Sequence, residues 1–432
     1  MLETRSLELL TDALRRLDEG FTGLPAFQAD IPGDQRMGAV LAEVAERLHD
    51  NFPYFHPLYA GQMLKPPHPV ARAAYALATW VNPNNHALDG GRASSALEKE
   101  AVALIATMFG WHTHLGHLTS SGTIANLEAL WVAGKLHPGK TILASEMAHY
   151  THERISGVLQ LPFEKVPADA QGHMDMAALE ARLAAGDVGT VVVTMGTTGF
   201  GAVDPLPAVL RLKEKYGFRI HADAAYGGYF GLATNLGPEA ADAFVHLGEV
   251  DSIVIDPHKH GLQPYGCGCV LFDDPAVGAL YRHDSPYTYF SSAELHLGEI
   301  SLECSRAGAS AVALWATMRL LPLWPGGEFA QGLEASRRAA LAFAQRLGED
   351  DRWEVLCEPE LDIVCWAPKS KPELSQAIFD EAARMDLHLA LIQVHGRLWL
   401  RSVLMKPEHE GWLDDILIRL DRAYVLAAAR HF

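Results

Sequence analysis

Short apolar runs alternate with longer helical stretches through the middle of this 432-residue chain. Five of these runs have the length of strands: Thr141 to Ser145, Thr190 to Thr194, Arg219 to Asp223, Ser252 to Asp256 and Gly268 to Phe272. Runs that are apolar throughout are typical of parallel sheets, because helices cover both faces of such a sheet. The rhythm therefore predicts an α/β fold with a mostly parallel sheet. Ligands of these sheets bind beyond the carboxyl ends of the strands, so we expect the chemical residues there.

The composition is that of an acidic globular protein, with 49% apolar residues, 20% charged residues and a net charge of -18. The negative charge argues against nucleic acid as a partner, because phosphate binding requires a basic surface. No stretch approaches the roughly 18 apolar residues of a membrane span. Met1 to Gly20 lacks the apolar run of a signal peptide, and the five cysteines are interpreted as free thiols. We therefore expect a cytoplasmic protein without a membrane partner.

Changes in the residue pattern along the chain predict three regions. Residues 1–64 form an N-terminal segment that is helical at first. Residues 65–325 carry the strand and helix rhythm, and residues 326–432 form a smaller unit with strands and helices of its own.

Two helices are predicted in the middle region. Ser95 and Glu98 have the spacing of a capping box, which predicts the start of a helix that Gly110 closes. The residue pattern from Thr123 to Leu136 predicts a second helix.

Lys259 follows the fourth apolar run, in the sequence Asp-Pro-His-Lys-His-Gly. The strand is expected to end at Asp256 and Pro257 to break it, which places the lysine above the sheet. A lysine that acts as a nucleophile needs such a shielded position, where it is partly deprotonated. A solvated loop lysine is the alternative.

Asp223 ends the third run and is followed by a turn of small residues. Pyridoxal 5′-phosphate (PLP) requires an acid at its pyridine nitrogen, because a protonated ring accepts electrons from the substrate. Ala225 is small enough to let a flat ring lie against the backbone. The alternative for Asp223 is a helix N-cap.

The stretch from Thr119 to Asn126 precedes a predicted helix and contains Ser121, Gly122 and Thr123. Hydroxyls and free N–H groups at a helix N-terminus form an anion site, so these residues are candidates for holding a phosphate. Ordinary N-capping is the alternative.

Two further candidates follow strands. The imidazole of His149 could stack on a pyridine ring opposite Ala225, although a structural histidine is the alternative. Thr198, in Gly-Thr-Thr after the second run, could meet the cofactor or the substrate, and turn formation is its alternative.

In chain order, these motifs resemble those of the group II PLP-dependent amino-acid decarboxylases. The resemblance rests on Thr119 to Thr123, Ala148 to Thr151, Gly196 to Thr198, His221 to Tyr226 and Asp256 to Lys259. It implies the PLP-dependent transferase fold, the aspartate aminotransferase-like fold type I. In that fold a mostly parallel seven-stranded sheet has helices on both faces and a smaller α/β domain follows. The implied activity is decarboxylation of an L-amino acid to its amine and CO2.

The resemblance also implies roles for individual residues. Lys259 forms the Schiff base with PLP, and Asp223 is the partner of the pyridinium. His149 stacks on the ring and faces the substrate carboxylate. His258 contacts the phosphate or the substrate, and Thr198 lies near the ring.

A mobile loop of about residues 281–299 is implied as well, and its Tyr287 or Tyr289 is the candidate acid that protonates the substrate carbon. The two tyrosines are two positions apart, so the sequence does not choose between them. The resemblance further implies a homodimer.

Rival interpretations remain open at the level of sequence. A PLP-dependent carbon–carbon lyase or an aminotransferase would use the same fold, and a non-catalytic PLP-binding protein is a third possibility. No metal is expected at His112, His114 and His117, because no cysteine or carboxylate joins them and alternate strand residues point to opposite faces.

Overall fold

The computed structural model describes residues 2–25, 27, 33–282 and 297–430. Its α-helices are α1 (Ser6–Glu19), α2 (Asp34–Leu48), α3 (Pro69–Thr79), α4 (Arg92–Met108), α5 (Gly122–Leu136), α6 (Thr151–Leu159), α7 (Met176–Leu183), α8 (Leu206–Tyr216), α9 (Pro238–Val245), α10 (Gly308–Leu320), α11 (Glu328–Gly348), α12 (Ser375–Ala383) and α13 (His409–Arg430). Its strands are β1 (Leu115–Thr119), β2 (Thr141–Ser145), β3 (Phe163–Val166), β4 (Val188–Thr194), β5 (Arg219–Asp223), β6 (Ser252–Ile255), β7 (Gly268–Phe272), β8 (Trp353–Val355), β9 (Ile363–Pro368), β10 (Ala390–Val394) and β11 (Arg397–Val403).

The larger sheet has seven strands in the order β1-β7-β6-β5-β4-β2-β3. The pairs from β6 to β3 are parallel, whereas β7 is antiparallel to both β1 and β6. Six strands therefore point in one direction and β7 runs against them. Strands β6 and β7 are buried throughout, which explains why their residues are almost all apolar, and β5 is buried almost throughout although it contains His221 and Asp223. The mostly parallel seven-stranded sheet is confirmed.

The predicted strand bounds agree closely with the structure. β2, β5 and β7 have the predicted bounds, β4 begins two residues earlier at Val188, and β6 ends at Ile255. The residue pattern had not indicated β1 or β3. In β1 the run is interrupted by Gly116 and His117, and β3 has two exposed charged residues in its centre.

The predicted capping box at Ser95 and Glu98 is wrong. Helix α4 begins at Arg92, so both residues lie inside it and are buried. The carboxylate of Glu98 does not bind the helix start. It accepts hydrogen bonds from the Leu118 N–H and from the Arg306 guanidinium.

The smaller sheet is antiparallel and has the order β10-β11-β9-β8. A separate cluster of buried side chains, with Phe343 and Trp366 among its largest, fills the space between this sheet and α11, α12 and α13. Tyr59 pairs with His388, so the N-terminal segment joins this part of the molecule. Within the described residues, no helix combines the length and the apolar character needed to cross a membrane.

The carboxyl ends of β1, β2, β4, β5 and β6 lie along one edge of the larger sheet, because these strands run in the same direction. The amino end of β7 lies at the same edge. The loops that follow the five strands therefore meet there, as expected for ligand sites in open α/β sheets.

Candidate active site

A cavity of about 180 Å³ lies at this edge of the sheet. It is lined by residues that end or follow five different strands: Ser121, Gly122, Thr123, Asn126, His149, Thr151, Thr194, Gly196, Thr198, Asp223, Ala225, Tyr226, Asp256, His258 and Lys259. All nine residues that the sequence predicted to bind the cofactor line this one cavity. The sequence had not predicted cofactor contacts for Asn126, Thr151, Thr194, Gly196, Tyr226 and Asp256.

Lys259 lies on the short connection between β6 and β7. Its Nζ is 3.0 Å from Oδ2 of Asp256, and its N–H donates to the Asp256 carbonyl over 2.9 Å. The connection is closed by a hydrogen bond from the His258 N–H to the Cys267 carbonyl and by one from the Gln263 N–H to the Pro257 carbonyl. The lysine side chain is 20% exposed, so its amine reaches the cavity from a backbone that is held at both ends.

Asp223 is the last residue of β5, and its carboxylate is buried at the floor of the cavity. Oδ2 is 2.8 Å from Nε2 of His152, and Oδ1 accepts the N–H of Ala225. Burial pushes the pKa of Asp223 upward, but the hydrogen bond and the charge of His152, together with Lys259, outweigh it and hold the pKa well below its usual range. The carboxylate is therefore anionic at neutral pH.

His152 is a site residue that sequence reasoning missed. It lies in the first turn of α6, is fully buried, and its Nδ1 has no hydrogen-bond partner among the described residues. Its only signal was a second histidine three positions after His149. The contact with Asp223 joins residues 71 positions apart, so no local pattern predicts it.

Asp256 was also missed as a site residue. Its Oδ2 faces both Lys259 and Nε2 of His258, at 3.0 and 3.5 Å. Its Oδ1 is buried without a hydrogen-bond partner among the described residues. A buried carboxylate beside two nitrogen bases fixes the lysine amine and keeps one oxygen open toward the cavity wall.

His149 lies between β2 and α6 on the cavity wall. Its Nδ1 is 2.8 Å from the hydroxyl of Thr151, which fixes the ring. Burial lowers its pKa below the usual value, so the ring is neutral at pH 7. Ala225 lines the same cavity, which is compatible with a flat group between the two residues.

The start of α5 forms an anion-binding corner. Ser121 is the N-cap, and its Oγ accepts the N–H of Ile124 over 3.3 Å. The helix begins at Gly122, one residue earlier than predicted, and the first N–H groups of a helix have no carbonyl partner within it. The N–H groups and the hydroxyl of Thr123 therefore offer donors to a phosphate.

His258 and Thr198 also line the cavity. Nδ1 of His258 is 2.6 Å from the carbonyl oxygen of Cys267, and its ring lies against that of Tyr265 at 4.7 Å. Thr198 follows the positive-φ residue Gly196, and its carbonyl accepts a hydrogen bond from Arg401 over 2.7 Å.

The two candidate loop acids, Tyr287 and Tyr289, lie outside the described residues. The histidines near β1 differ in exposure. His112 is exposed, whereas His117 is buried and its Nε2 lies 2.9 Å from Oε2 of Glu128. No group of side chains that could hold a metal ion occurs within the described parts of the chain.

The donors of the cavity fit PLP. An amine that can bind an aldehyde, an anionic carboxylate, a neutral imidazole and the open N-terminus of a helix line one small space. Oδ1 of Asp256 and the hydroxyl of Thr194 are buried and without partners among the described residues, so polar atoms are available for a ligand.

Comparison with known proteins gives one family. The model of the pyridoxal-dependent decarboxylase conserved domain matches residues 49–369. A Halobacterium salinarum protein named probable L-aspartate decarboxylase is 31% identical over 304 residues, which are 70% of this chain and 80% of that protein. The L-aspartate decarboxylase of Thermococcus kodakarensis is 28% identical over 336 residues, or 77% and 84%. The L-tyrosine decarboxylase of Enterococcus faecium is 28% identical over 439 residues, or 76% and 72%.

Solved structures resemble the whole chain. Oryza sativa TDC, solved with PLP and tryptamine, matches with a TM-score of 0.80 and 18% identity, covering 97% of this chain and 96% of its own. Mouse CSAD matches with a TM-score of 0.80 and 19% identity, covering 98% and 92%. At these identities the likeness establishes the fold.

Proposed function

Since the chain belongs to the family of pyridoxal-dependent decarboxylases, we propose that Lys259 carries its cofactor and that L-aspartate is its substrate. The general activity follows from the family: the chain is a PLP-dependent carboxy-lyase that converts an L-amino acid to its amine and CO2. The observation that carries the residue assignment is the convergence of Lys259, Asp223 and His149 on one cavity.

When bound, PLP supplies an electron-poor ring that accepts the electron pair of the substrate's breaking Cα–carboxylate bond. Asp223 would keep the proton on the pyridine nitrogen, because its carboxylate is anionic and is fixed by His152 and by the N–H of Ala225. The N-terminus of α5, from Ser121 to Thr123, would bind the phosphate.

The remaining residues would orient the reacting groups. His149 and Ala225 would cover the two faces of the ring, and the neutral imidazole would also face the substrate carboxylate. Lys259 would hold the cofactor through Nζ, with Asp256 positioning that nitrogen. We assign return of a proton to Cα to Tyr287 or Tyr289, because a phenol is still protonated at neutral pH.

L-aspartate is proposed first because two of the relatives described above carry it in their names. L-tyrosine is the second candidate, from the name of the Enterococcus faecium relative.

A panel assay tests the substrate. The PLP-loaded protein is incubated with each of the twenty amino acids, and CO2 and amine are measured together. Release of CO2 and β-alanine from L-aspartate, at the highest kcat/KM of the panel, supports the proposal. A higher kcat/KM for L-tyrosine, with tyramine as product, replaces aspartate as the substrate.

The lysine assignment has a separate test. Borohydride reduction of the loaded protein followed by peptide mapping should place the phosphopyridoxyl group on Lys259. Lys259→Ala should fold and lose turnover, whereas the surface control Lys165→Ala should keep both label and activity. A label on another lysine would overturn the assignment.

We propose a homodimer on the strength of an exposed apolar face. Helix α2 presents five apolar side chains at helical spacing to solvent: Met37, Val40, Leu41, Val44 and Leu48. Faces of this kind mark association surfaces. Sedimentation of the PLP-loaded protein should give twice the chain mass, and a fully active monomer would contradict the proposal.

Cytoplasmic location and the division at residues 64 and 325 are also proposals. The five cysteines are free, which suits a reducing compartment. The separate buried cluster of the C-terminal part supports a unit of its own, although Leu58 and Ala60 belong to that cluster too. Limited proteolysis should cut first near residue 325 if the division is correct.

A further inference from the structure

A second cavity, of about 380 Å³, is lined in part by His260, the residue that follows Lys259 in the chain. We call it the rear cavity and define it by Lys65, His68, His260 and Lys406, with Glu328 and Glu408. None of its lining residues lines the cofactor cavity. It is therefore a separate space, and the reaction described above leaves its charged groups without a role.

The two lysines of the rear cavity have unused donors. Nζ of Lys65 donates to the carbonyl of Met405 over 3.3 Å, and Nζ of Lys406 donates to the carbonyl of Tyr59 over 2.6 Å. An ammonium group has three N–H donors. Two donors on each lysine therefore have no hydrogen-bond acceptor among the described residues, although Lys65 is partly buried and Lys406 is 3% exposed, with its Nζ 5.2 Å from the centre of the Tyr59 ring.

His260 adds an unpartnered imidazole to the same wall. Its side chain is 1% exposed, and neither ring nitrogen has a hydrogen-bond partner among the described residues. Nε2 is 3.3 Å from Oδ2 of Asp362, but the two atoms are not aligned as a hydrogen bond. Buried polar groups are normally paired, because an unpaired one carries a desolvation cost. The ring therefore suits a ligand that supplies the missing partner.

The charges of the cavity indicate a small anion. Burial lowers the pKa of Lys65 to about 8, and burial together with repulsion from Lys65 lowers that of Lys406 to about 7. An anion between the two ammonium groups relieves that repulsion. Glu328 and Glu408 also line the cavity but are exposed, so solvent screens their charges more than those of the two lysines.

We propose that the rear cavity is a binding site for a small oxyanion, a phosphate or a carboxylate, held between the ammonium groups of Lys65 and Lys406 with His260 as a third hydrogen-bonding partner. Phosphates and carboxylates share the oxygen acceptors that this set of donors requires. The site is distinct from the corner at α5 that is assigned to the cofactor phosphate.

The test is titration calorimetry on the PLP-loaded protein in buffer free of both ions, with inorganic phosphate in one arm and malonate in the other. Loading with PLP keeps the probes out of the cofactor site, and the substitutions below separate binding in the rear cavity from binding of malonate, a dicarboxylate like L-aspartate, at the substrate site. One saturable site per chain is expected in at least one arm, and the tighter arm identifies the natural class. No saturable heat in either arm up to about 10 mM would overturn the proposal.

Substitutions then locate the site. Lys406→Met and Lys65→Met keep the length of the side chain and remove the charge, and each should weaken binding by about tenfold or more, as expected for a lost charged hydrogen bond. The exposed Lys135→Met is the matched control and should bind as the wild type does. Unchanged affinity in both cavity variants would place the ion elsewhere and overturn the proposal.

A wild-type experiment covers the case in which these variants do not fold. Crystals of the PLP-loaded protein are soaked in selenate, a tetrahedral oxyanion with an anomalous signal. A selenium peak between Nζ of Lys65 and Nζ of Lys406 supports the site. A diffraction map with selenate only on exposed lysines contradicts it.

Discussion

Gly122 is the position at which the addition of one methyl group should damage cofactor binding most selectively. It begins α5 and lies against the carboxylate of Asp256. A Cβ at this position would lie 2.5 Å from Oδ2, 2.6 Å from Oδ1 and 2.8 Å from Cγ, whereas ordinary contact begins at 3.4 Å. In Gly122→Ala, Asp256 or the start of the helix must therefore shift by several tenths of an ångström.

The shift reaches the cofactor site from two sides. Oδ2 of Asp256 is 3.0 Å from Nζ of Lys259, and the N-terminus of α5 offers its donors to the phosphate. Overpacking of this kind costs about 1–3 kcal/mol. If that cost falls on the geometry of the loaded site, PLP affinity should decrease by about 5- to 150-fold.

The assay is titration of the apo-protein with PLP, followed by the visible absorbance of the bound cofactor. Gly157→Ala is the matched control, because Gly157 also lies in a helix and a Cβ there meets nothing within 4 Å. That variant should bind PLP as the wild type does. In a double-mutant cycle, Asp256→Ala should remove most of the effect of Gly122→Ala, since the clashing atoms are gone. A folded Gly122→Ala protein with unchanged PLP affinity would refute the reasoning.

Three further outcomes are expected. Asp223→Asn should lower kcat by more than tenfold, which is about 1.4 kcal/mol of barrier, while far-ultraviolet circular dichroism stays unchanged, because an amide cannot hold the pyridine proton; activity within tenfold would contradict this. Either Tyr287→Phe or Tyr289→Phe should slow amine formation with an unchanged cofactor spectrum, and wild-type rates in both variants would move the acid elsewhere. Glu360 and Asp169 raise the pKa of His173 from 6.5 to about 9. The stability from this contact is therefore fully present below pH 6.5 and is lost as the pH rises through about 9. His173→Gln should remove at most about 3 kcal/mol of that pH dependence in urea titrations, and an unchanged profile would exclude the contact as its source.

The sheet could be predicted where its strands are buried on both faces. The sequences of β6 and β7 are almost entirely apolar, in agreement with their complete burial. β3 could not be predicted in this way, because an edge strand with exposed Glu164 and Lys165 lacks that signal. The spacing of Ser95 and Glu98 gave a wrong prediction of the helix start, because the Glu98 carboxylate accepts hydrogen bonds from residues that are distant in the sequence.

The candidate site shows the same division. Lys259 and Asp223 could be placed in one cavity because each ends or follows a strand of a parallel sheet, and the edge collects such residues. The contacts that position the side chains of Lys259 and Asp223 could not be predicted. His152 reaches Asp223 across 71 positions, and the open oxygen of Asp256 depends on how closely Gly122 packs against it.

The connection that bears Lys259 is pinned between β6 and β7, two strands in the interior of the larger sheet. The N–H groups of His258, Lys259 and Gln263 donate to carbonyls within the same connection, so these amides are protected from exchange while it stays closed. Rotation of the lysine side chain does not require these hydrogen bonds to break. Loss and recapture of the cofactor are therefore expected to be side-chain events on a fixed backbone, and the apo-protein should retain slow deuterium uptake at the amides of His258, Lys259 and Gln263.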